Sequence, residues 1–331
     1  MRSISIILSM AVGMLLFFSS CEIKSSKIPK VETLSAIVNN ENDLFVTLSG
    51  RISGLEDITM GYQCGIEYSI NESFSDDNTY RLKVSDSYFE SEFTIDAVEI
   101  VPIQKYYYRA YCINKMEVYY GEVKDFTSGE WSGPREVDLG LTVKWATCNV
   151  GAYNIWSKGG YYAWGETEAK KDYSYSTYKW CRGSYNTLTK YNNISVCGEV
   201  DNELTLYPED DVAQVKWGGN WRMPTLSEQD DLRNKCTWEW FDNGNSEFNG
   251  VAGYKVTSNV TGYTDRFIFL PAAEDIYDTD FYHVGWGLYW SSSVNWNNPY
   301  LAWVIYFNSS EVGANCLSGR GSGCSVRPVC P

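Results

Sequence analysis

YWSSSVNWNNPYLAW (Tyr289–Trp303) holds three tryptophans, three asparagines and three serines, and no side chain that titrates near neutral pH. Its ends and its middle read differently. GLYWSSSV (Gly287–Val294) and LAWVIYFNS (Leu301–Ser309) are rich in aromatic and β-branched residues and read as strands. Between them, VNWNNPY (Val294–Tyr300) has turn chemistry. A packed core tolerates few asparagines, and a catalytic loop ordinarily holds an ionisable group. The stretch therefore predicts a β framework that displays a loop made for recognition by amide hydrogen bonds and aromatic area. GANCLSGRGSGC (Gly313–Cys324) shares the Asn, Ser and Gly bias and reads as a second such loop.

The front of the chain indicates a compartment. Arg2 precedes an almost wholly apolar run from Ile4 to Phe18. That run is too short and wrongly flanked to span a membrane and reads as a secretory signal over residues 1–20. Ser19 and Ser20 stand directly before Cys21, an arrangement that resembles a bacterial lipoprotein processing site. Cys21 is then expected to become the lipidated first residue of the mature chain, with residues 21–30 as a short polar tether. The expected location is the cell outer membrane, lipid-anchored and surface-exposed, with the periplasmic face as the alternative. Contact with the membrane is expected through the Cys21 anchor only.

Composition narrows the function classes. The 42 acidic residues outnumber the 27 basic ones for a net charge of −15, which argues against nucleic acid, since that partner needs a basic footprint. Aromatics make up 16% of the chain, with 13 Trp and 26 Tyr, a composition that suits extracellular β domains binding by stacking and amide hydrogen bonds. The length after the signal predicts about two domains. Ten cysteines less Cys21 leave an odd number, so free thiols and one or two disulfides both stay open. No Cys-x-x-Cys occurs and His283 is the only histidine, so no zinc site is expected.

From Val31 to Phe126 the chain alternates in short bursts. LFVTLSG (Leu44–Gly50), GYQCGIEYSI (Gly61–Ile70), FTIDAV (Phe93–Val98), YYYRAYCIN (Tyr106–Asn114) and YYGEVKDFT (Tyr119–Thr127) predict strands of an all-β sandwich over residues 31–128. Tyr106, Tyr108, Ala110 and Cys112 share one face of their strand. YYYRAYCIN resembles the sixth strand of a fibronectin type III domain. On that resemblance Cys64 and Cys112 come from neighbouring strands, where a bridge is open. The domain is expected to act as a spacer, with ligand contact as the alternative. Residues 129–136 read as a linker.

The remainder, residues 137–331, reads as strand, aromatic loop, helix, then many strands. Thr225 is a natural N-cap with Glu228 as its capping-box partner, predicting a helix to about Lys235. Glu209, Asp210 and Asp211 open a short apolar turn, where carboxylates oppose a positive helix end; a calcium site is the alternative reading. DLGLTVKWATCNVGA, YYAWGETE, VKWGGNWRMPTLSE, FLPAAE, YWSSS and SVRPV occur in the order seen in the Fibrobacter succinogenes major paralogous domain, which this region resembles over nearly all of residues 137–329. The resemblance implies an α+β C-type-lectin-like fold in a Bacteroidetes lipoprotein. It implies that Tyr289, Trp290, the three serines, Trp303, Ile305, Phe307, Val326 and Arg327 are scaffold, and that the loops between them form an exposed face.

Chemistry does not follow from the resemblance. The related formylglycine-generating enzymes share the WRMPT-type signature and use a copper-binding cysteine pair; Cys316 and Cys324 lie in that region without the flanking pattern. FYHVGWG (Phe281–Gly287) offers no serine elbow beside His283. VNWNN matches the Trp-Asn of the lectin calcium motif but has Asn298 in place of the acid. The chain is expected to be non-catalytic, without cofactor or metal, and to recognise a glycan or protein ligand. The expected binding residues are Asn295, Trp296, Asn297, Asn298, Tyr300, Asn315, Ser318, Arg320 and Ser322. A structural subunit of a fimbria-like or envelope assembly is the alternative, and a retroelement-diversified binding protein is a third, because the YWSSS…SVRPV frame resembles that of such variable regions.

Overall fold

The computed structural model describes residues 28–39, 45–55, 62–75, 79–84, 92–97, 100–114, 117–244 and 246–331. The signal segment, Cys21 and most of the tether lie outside the described residues, as do Leu44, Gly61 and Val98. Strand is the dominant secondary structure and helix is minor.

Residues up to 127 form β1 (Lys30–Asn39), β2 (Phe45–Ser53), β3 (Gln63–Ser69), β4 (Thr79–Lys83), β5 (Glu92–Ala97), β6 (Lys105–Asn114), β7 (Glu117–Tyr120) and β8 (Lys124–Thr127). They make two antiparallel sheets, ordered β1-β2-β5 and β4-β3-β6, with β7 and β8 both pairing with β6. The period of two decides the core: Tyr106, Tyr108, Ala110 and Cys112 of β6 are buried with Val46 and Leu48 of β2, Phe93 of β5 and Ile66 of β3. Cys64 lies directly opposite Cys112, with the two free thiol sulfurs 3.2 Å apart. β1 and β4 add to the strands expected from sequence, and YYGEVKDFT is divided between β7 and β8. A bulge in β1 frees the Thr33 hydroxyl to accept the Ala110 amide at 3.0 Å, stitching the two sheets together.

Beyond residue 128 come β9 (Glu136–Val137), β10 (Lys144–Ala146), α1 (Val212–Trp217), α2 (Leu226–Lys235), β11 (Cys236–Phe241), β12 (Gly253–Ser258), β13 (Phe267–Pro271), β14 (Asp275–Tyr277), β15 (Asp280–Tyr282), β16 (Gly287–Val294), β17 (Leu301–Phe307), β18 (Val312–Gly319) and β19 (Val329–Cys330). They pair as β9-β10-β19, β11-β12-β13, β14-β15 and β16-β17-β18. Among the described residues no sheet mixes strands from the two parts of the chain. Trp145, Leu232, Val256, Tyr289, Ile305, Phe307 and Val329 share one core; Trp164, Tyr191, Met223, Trp290, Val304 and Val326 share another. The two buried indoles are also hydrogen-bonded: Trp290 donates to the Tyr162 carbonyl (2.7 Å) and Trp164 to that of Ser291 (2.8 Å). Trp303 is only half-buried.

α2 begins as its sequence dictates. The Thr225 hydroxyl accepts the Glu228 amide, and the Glu228 carboxylate accepts the Thr225 amide at 2.8 Å while pairing with Arg222. The acidic trio is divided. Asp211 caps α1 by accepting from Ala213 and Gln214 and also takes the Met223 amide. Asp210 is buried against Lys190, Lys179 and the Tyr191 hydroxyl. Arg327 is fully buried, with no acid paired to it among the described residues; it donates to Asn149 Oδ1 and to the carbonyls of Ala146 and Phe269.

Candidate functional site

The turn between β16 and β17 is rigid because Asn295 makes it so. Its side chain is buried, and Oδ1 accepts the amides of Asn297 (2.9 Å) and Asn298 (3.0 Å). Its own amide donates to the Leu301 carbonyl, closing the turn. Trp296 stands at the tip, 63% exposed, and Asn297 and Asn298 are exposed beside it. Tyr300 is half-buried; its hydroxyl approaches Asn298 Oδ1 at 3.4 Å, and its carbonyl accepts the Tyr175 hydroxyl at 2.6 Å.

The second expected loop is not a loop. Val312–Gly319 is β18, paired along β17 from Leu301↔Gly319 to Phe307↔Val312. Residues 320–330 are all buried. Arg320 therefore offers no fork to a ligand. Its guanidinium donates to the Tyr178 hydroxyl (2.9 Å) and to the carbonyls of Tyr191 (3.1 Å), Pro299 (2.9 Å) and Lys190 (3.1 Å). It lies over the rings of Trp164, Tyr178 and Tyr191. Neutral acceptors and ring faces replace the carboxylate that a buried cation usually needs. Ser322 is buried too, so both residues leave the binding set. Ser318 is half-buried and bonds the Cys324 thiol, which burial holds well above its usual pKa. Asn315 is exposed at a bulge with φ +71°, beside the stretch of β17 between Val304 and Tyr306 and away from the Trp296 turn. Of the nine expected residues, Trp296, Asn297, Asn298 and Tyr300 share one exposed turn, and buried Asn295 holds it.

Aromatic residues from a distant segment extend this surface. Tyr185 is exposed and meets Tyr300 edge-on at 5.3 Å and Tyr175 at 6.3 Å. Burial pushes the Tyr175 hydroxyl up to about 12, against the opposing pull of Arg320, so it stays a neutral donor. Asn193 donates to the Trp296 carbonyl at 2.9 Å and fixes the other flank. Arg320 binds the Trp296 turn through Pro299 and the 178–191 segment through Tyr178, Lys190 and Tyr191. The Tyr-, Ser- and Asn-rich composition of residues 173–193 has the same bias as the turn and was the available signal for these partners.

His283 Nδ1 lies 2.7 Å from Asp275 and its ring packs beside Trp286. Cys316 and Cys324 are free thiols, Cys324 fully buried. Among the described residues, no group of three or more His, Cys, Asp or Glu is placed to hold a metal ion. No family model matches the chain, and no curated protein or solved structure is significantly similar to it.

Proposed function

We propose that the chain is a non-catalytic envelope lipoprotein whose C-terminal part, a C-type-lectin-like domain over residues 137–331, recognises a glycan or protein ligand. A fibronectin type III-like sandwich over residues 31–128 lifts it from an outer membrane held through Cys21. The reading is supported above all by one observation: Trp296 projects into solvent from a turn whose backbone is locked by Asn295, with Tyr300 and Tyr185 beside it. Rigid aromatic area flanked by adaptable amides binds at low entropic cost. Among the described residues no sheet joins strands before residue 128 to strands after it, as a spacer followed by a recognition domain requires.

A glycan array combined with pull-down from envelope and host extracts tests this. A saturable ligand lost in Trp296→Ala supports it. A stoichiometric envelope partner supports the structural-subunit alternative, and turnover of any substrate overturns both. Membrane fractionation of Cys21→Ala tests the anchor: release of the variant is expected, and retention together with an unacylated wild type overturns it.

A further inference from the structure

A cleft shares no lining residue with the Trp296 turn. It has a volume of about 450 Å³, within the roughly 300–1,000 Å³ of small-molecule sites, and is lined by Lys158, Gly159, Tyr161, Glu274, Phe281 and Val284. Its floor is polar. Glu274 is over nine-tenths buried, and both its oxygens accept from Lys158 Nζ, at 2.8 and 2.7 Å; the Tyr161 hydroxyl lies 3.5 Å from the same carboxylate. The Lys158 side chain remains partly exposed.

This floor is held from beneath. The Lys158 carbonyl accepts from Asn149 Nδ2 (2.8 Å) and Ser325 Oγ (3.1 Å), and Asn149 is itself gripped by buried Arg327. The next residue, Gly159, has φ +72°, and a Cβ there would lie 2.5 Å from the Val150 carbonyl oxygen. Only glycine lets the chain turn so sharply under Lys158. A polar pair on a buried, hydrogen-bonded support is what a pre-organised binding floor requires. The wall is the opposite in character. The β14–β15 hairpin and the turn after it present Phe281 and Val284 at 56% and 75% exposure, and Phe281 meets Tyr161 edge-on at 5.5 Å.

We propose that this cleft is a binding site for one hexopyranose unit of a neutral glycan. The pair of Lys158 and Glu274 carries no net charge, so a charged ligand would meet one partner unfavourably whichever way it entered. Two neighbouring hydroxyls fit it, one donating to the carboxylate and the other accepting from the free N–H of the ammonium. The apolar C–H face of the ring then lies against Phe281 and Tyr161. The inference deepens the recognition reading and rests on it for a glycan ligand, but it stands on different residues.

The test is calorimetry and saturation-transfer NMR on the full purified chain with methyl glycosides of glucose, galactose, mannose and N-acetylglucosamine. At least one is expected to saturate, and N-acetylneuraminic acid is not. Glu274→Gln is expected to weaken binding about tenfold or more, since a hydrogen bond to a charged acceptor becomes neutral. Phe281→Ala, at an exposed position that leaves folding intact, is expected to weaken it about fivefold. Unchanged affinity in both variants, with loss in Trp296→Ala, overturns the cleft and leaves the recognition surface standing. Failure of every pyranoside to saturate the wild type overturns the cleft as a sugar site, while a protein partner captured through Trp296 sustains the recognition reading.

Discussion

Arg320→Lys separates a structural arginine from a ligand-binding one. The substitution keeps the positive charge and most of the length but replaces a planar fork with a single point of donation. The guanidinium serves four acceptors drawn from three places: the Tyr178 hydroxyl, the Lys190 and Tyr191 carbonyls, and the Pro299 carbonyl. An ammonium at the same position reaches one or two of them. Losing two such bonds, each about 1.5 kcal/mol to a charged donor, costs about 3 kcal/mol. The ring contacts with Trp164, Tyr178 and Tyr191 are weakened as well. Urea unfolding followed by tryptophan fluorescence measures the loss, and limited proteolysis is expected to cut the variant faster between residues 178 and 200. A surface arginine changed to lysine leaves stability within about 0.5 kcal/mol. A variant that unfolds at the wild-type midpoint refutes the placement of Arg320 as the clasp between these segments.

Three further outcomes follow from the same geometry. Trp290→Ala removes a fully buried indole and its bond to Tyr162, costing about 3–5 kcal/mol in chemical denaturation, whereas Trp296→Ala leaves stability within about 0.5 kcal/mol and weakens ligand by about 2 kcal/mol, roughly thirtyfold; equal melting losses would reverse the assignment of the two faces. In an oxidising compartment the Cys64 and Cys112 thiols are expected to give up two protons and two electrons to a thiol–disulfide oxidoreductase and form a cross-strand disulfide, whose loop of about 50 residues is worth about 4 kcal/mol of chain entropy; full alkylation of both thiols in exported, unreduced protein would count against it. Burial pushes the Glu228 carboxyl up, but hydrogen bonds from Arg222 and the Thr225 amide pull it below its ordinary value, and Lys190 and Tyr191 likewise overcome burial at Asp210. Stability from both is present above the unfolded carboxylate range and lost as pH falls through the folded values, so urea midpoints are expected to decline below about pH 4 and Glu228→Gln to flatten that decline; Asp211, raised by burial, opposes part of the slope.

Local signals were legible where neighbours in sequence are partners in space. The capping box of α2 needs only Thr225 and Glu228, and the alternation of β6 needs only its own residues. The Asn295 turn is equally local. Arg320 shows the limit: its polarity and its glycine and serine neighbours suggest surface, and its acceptors come from segments far away in the chain. β18 escaped for a related reason, since GANCLSG lacks the β-branched residues that mark a strand and is held by pairing with β17. The cleft floor also joins residues far apart, Lys158 and Glu274, although Glu274 closes the FLPAAE motif. The aromatic density of residues 277–286 was visible, but its use as a wall depends on what stands beneath it.

The narrow sheet β9-β10-β19 places Val329 against Trp145 and Cys330 against Lys144, with Arg327 reaching the Ala146 carbonyl. The segment that opens the C-terminal part is thus finished by the one that ends it. A nascent chain emerging at about 5–20 residues per second can close its first two sheets while this second part is still being made. The second part has no completed sheet for Trp145 until residue 329 has been synthesised. If the chain is exported as proposed, this delay is useful, because a translocation channel accepts an open polypeptide more readily than a finished fold. Under the proposed export, the folding of this part would be an event of the destination compartment, after delivery.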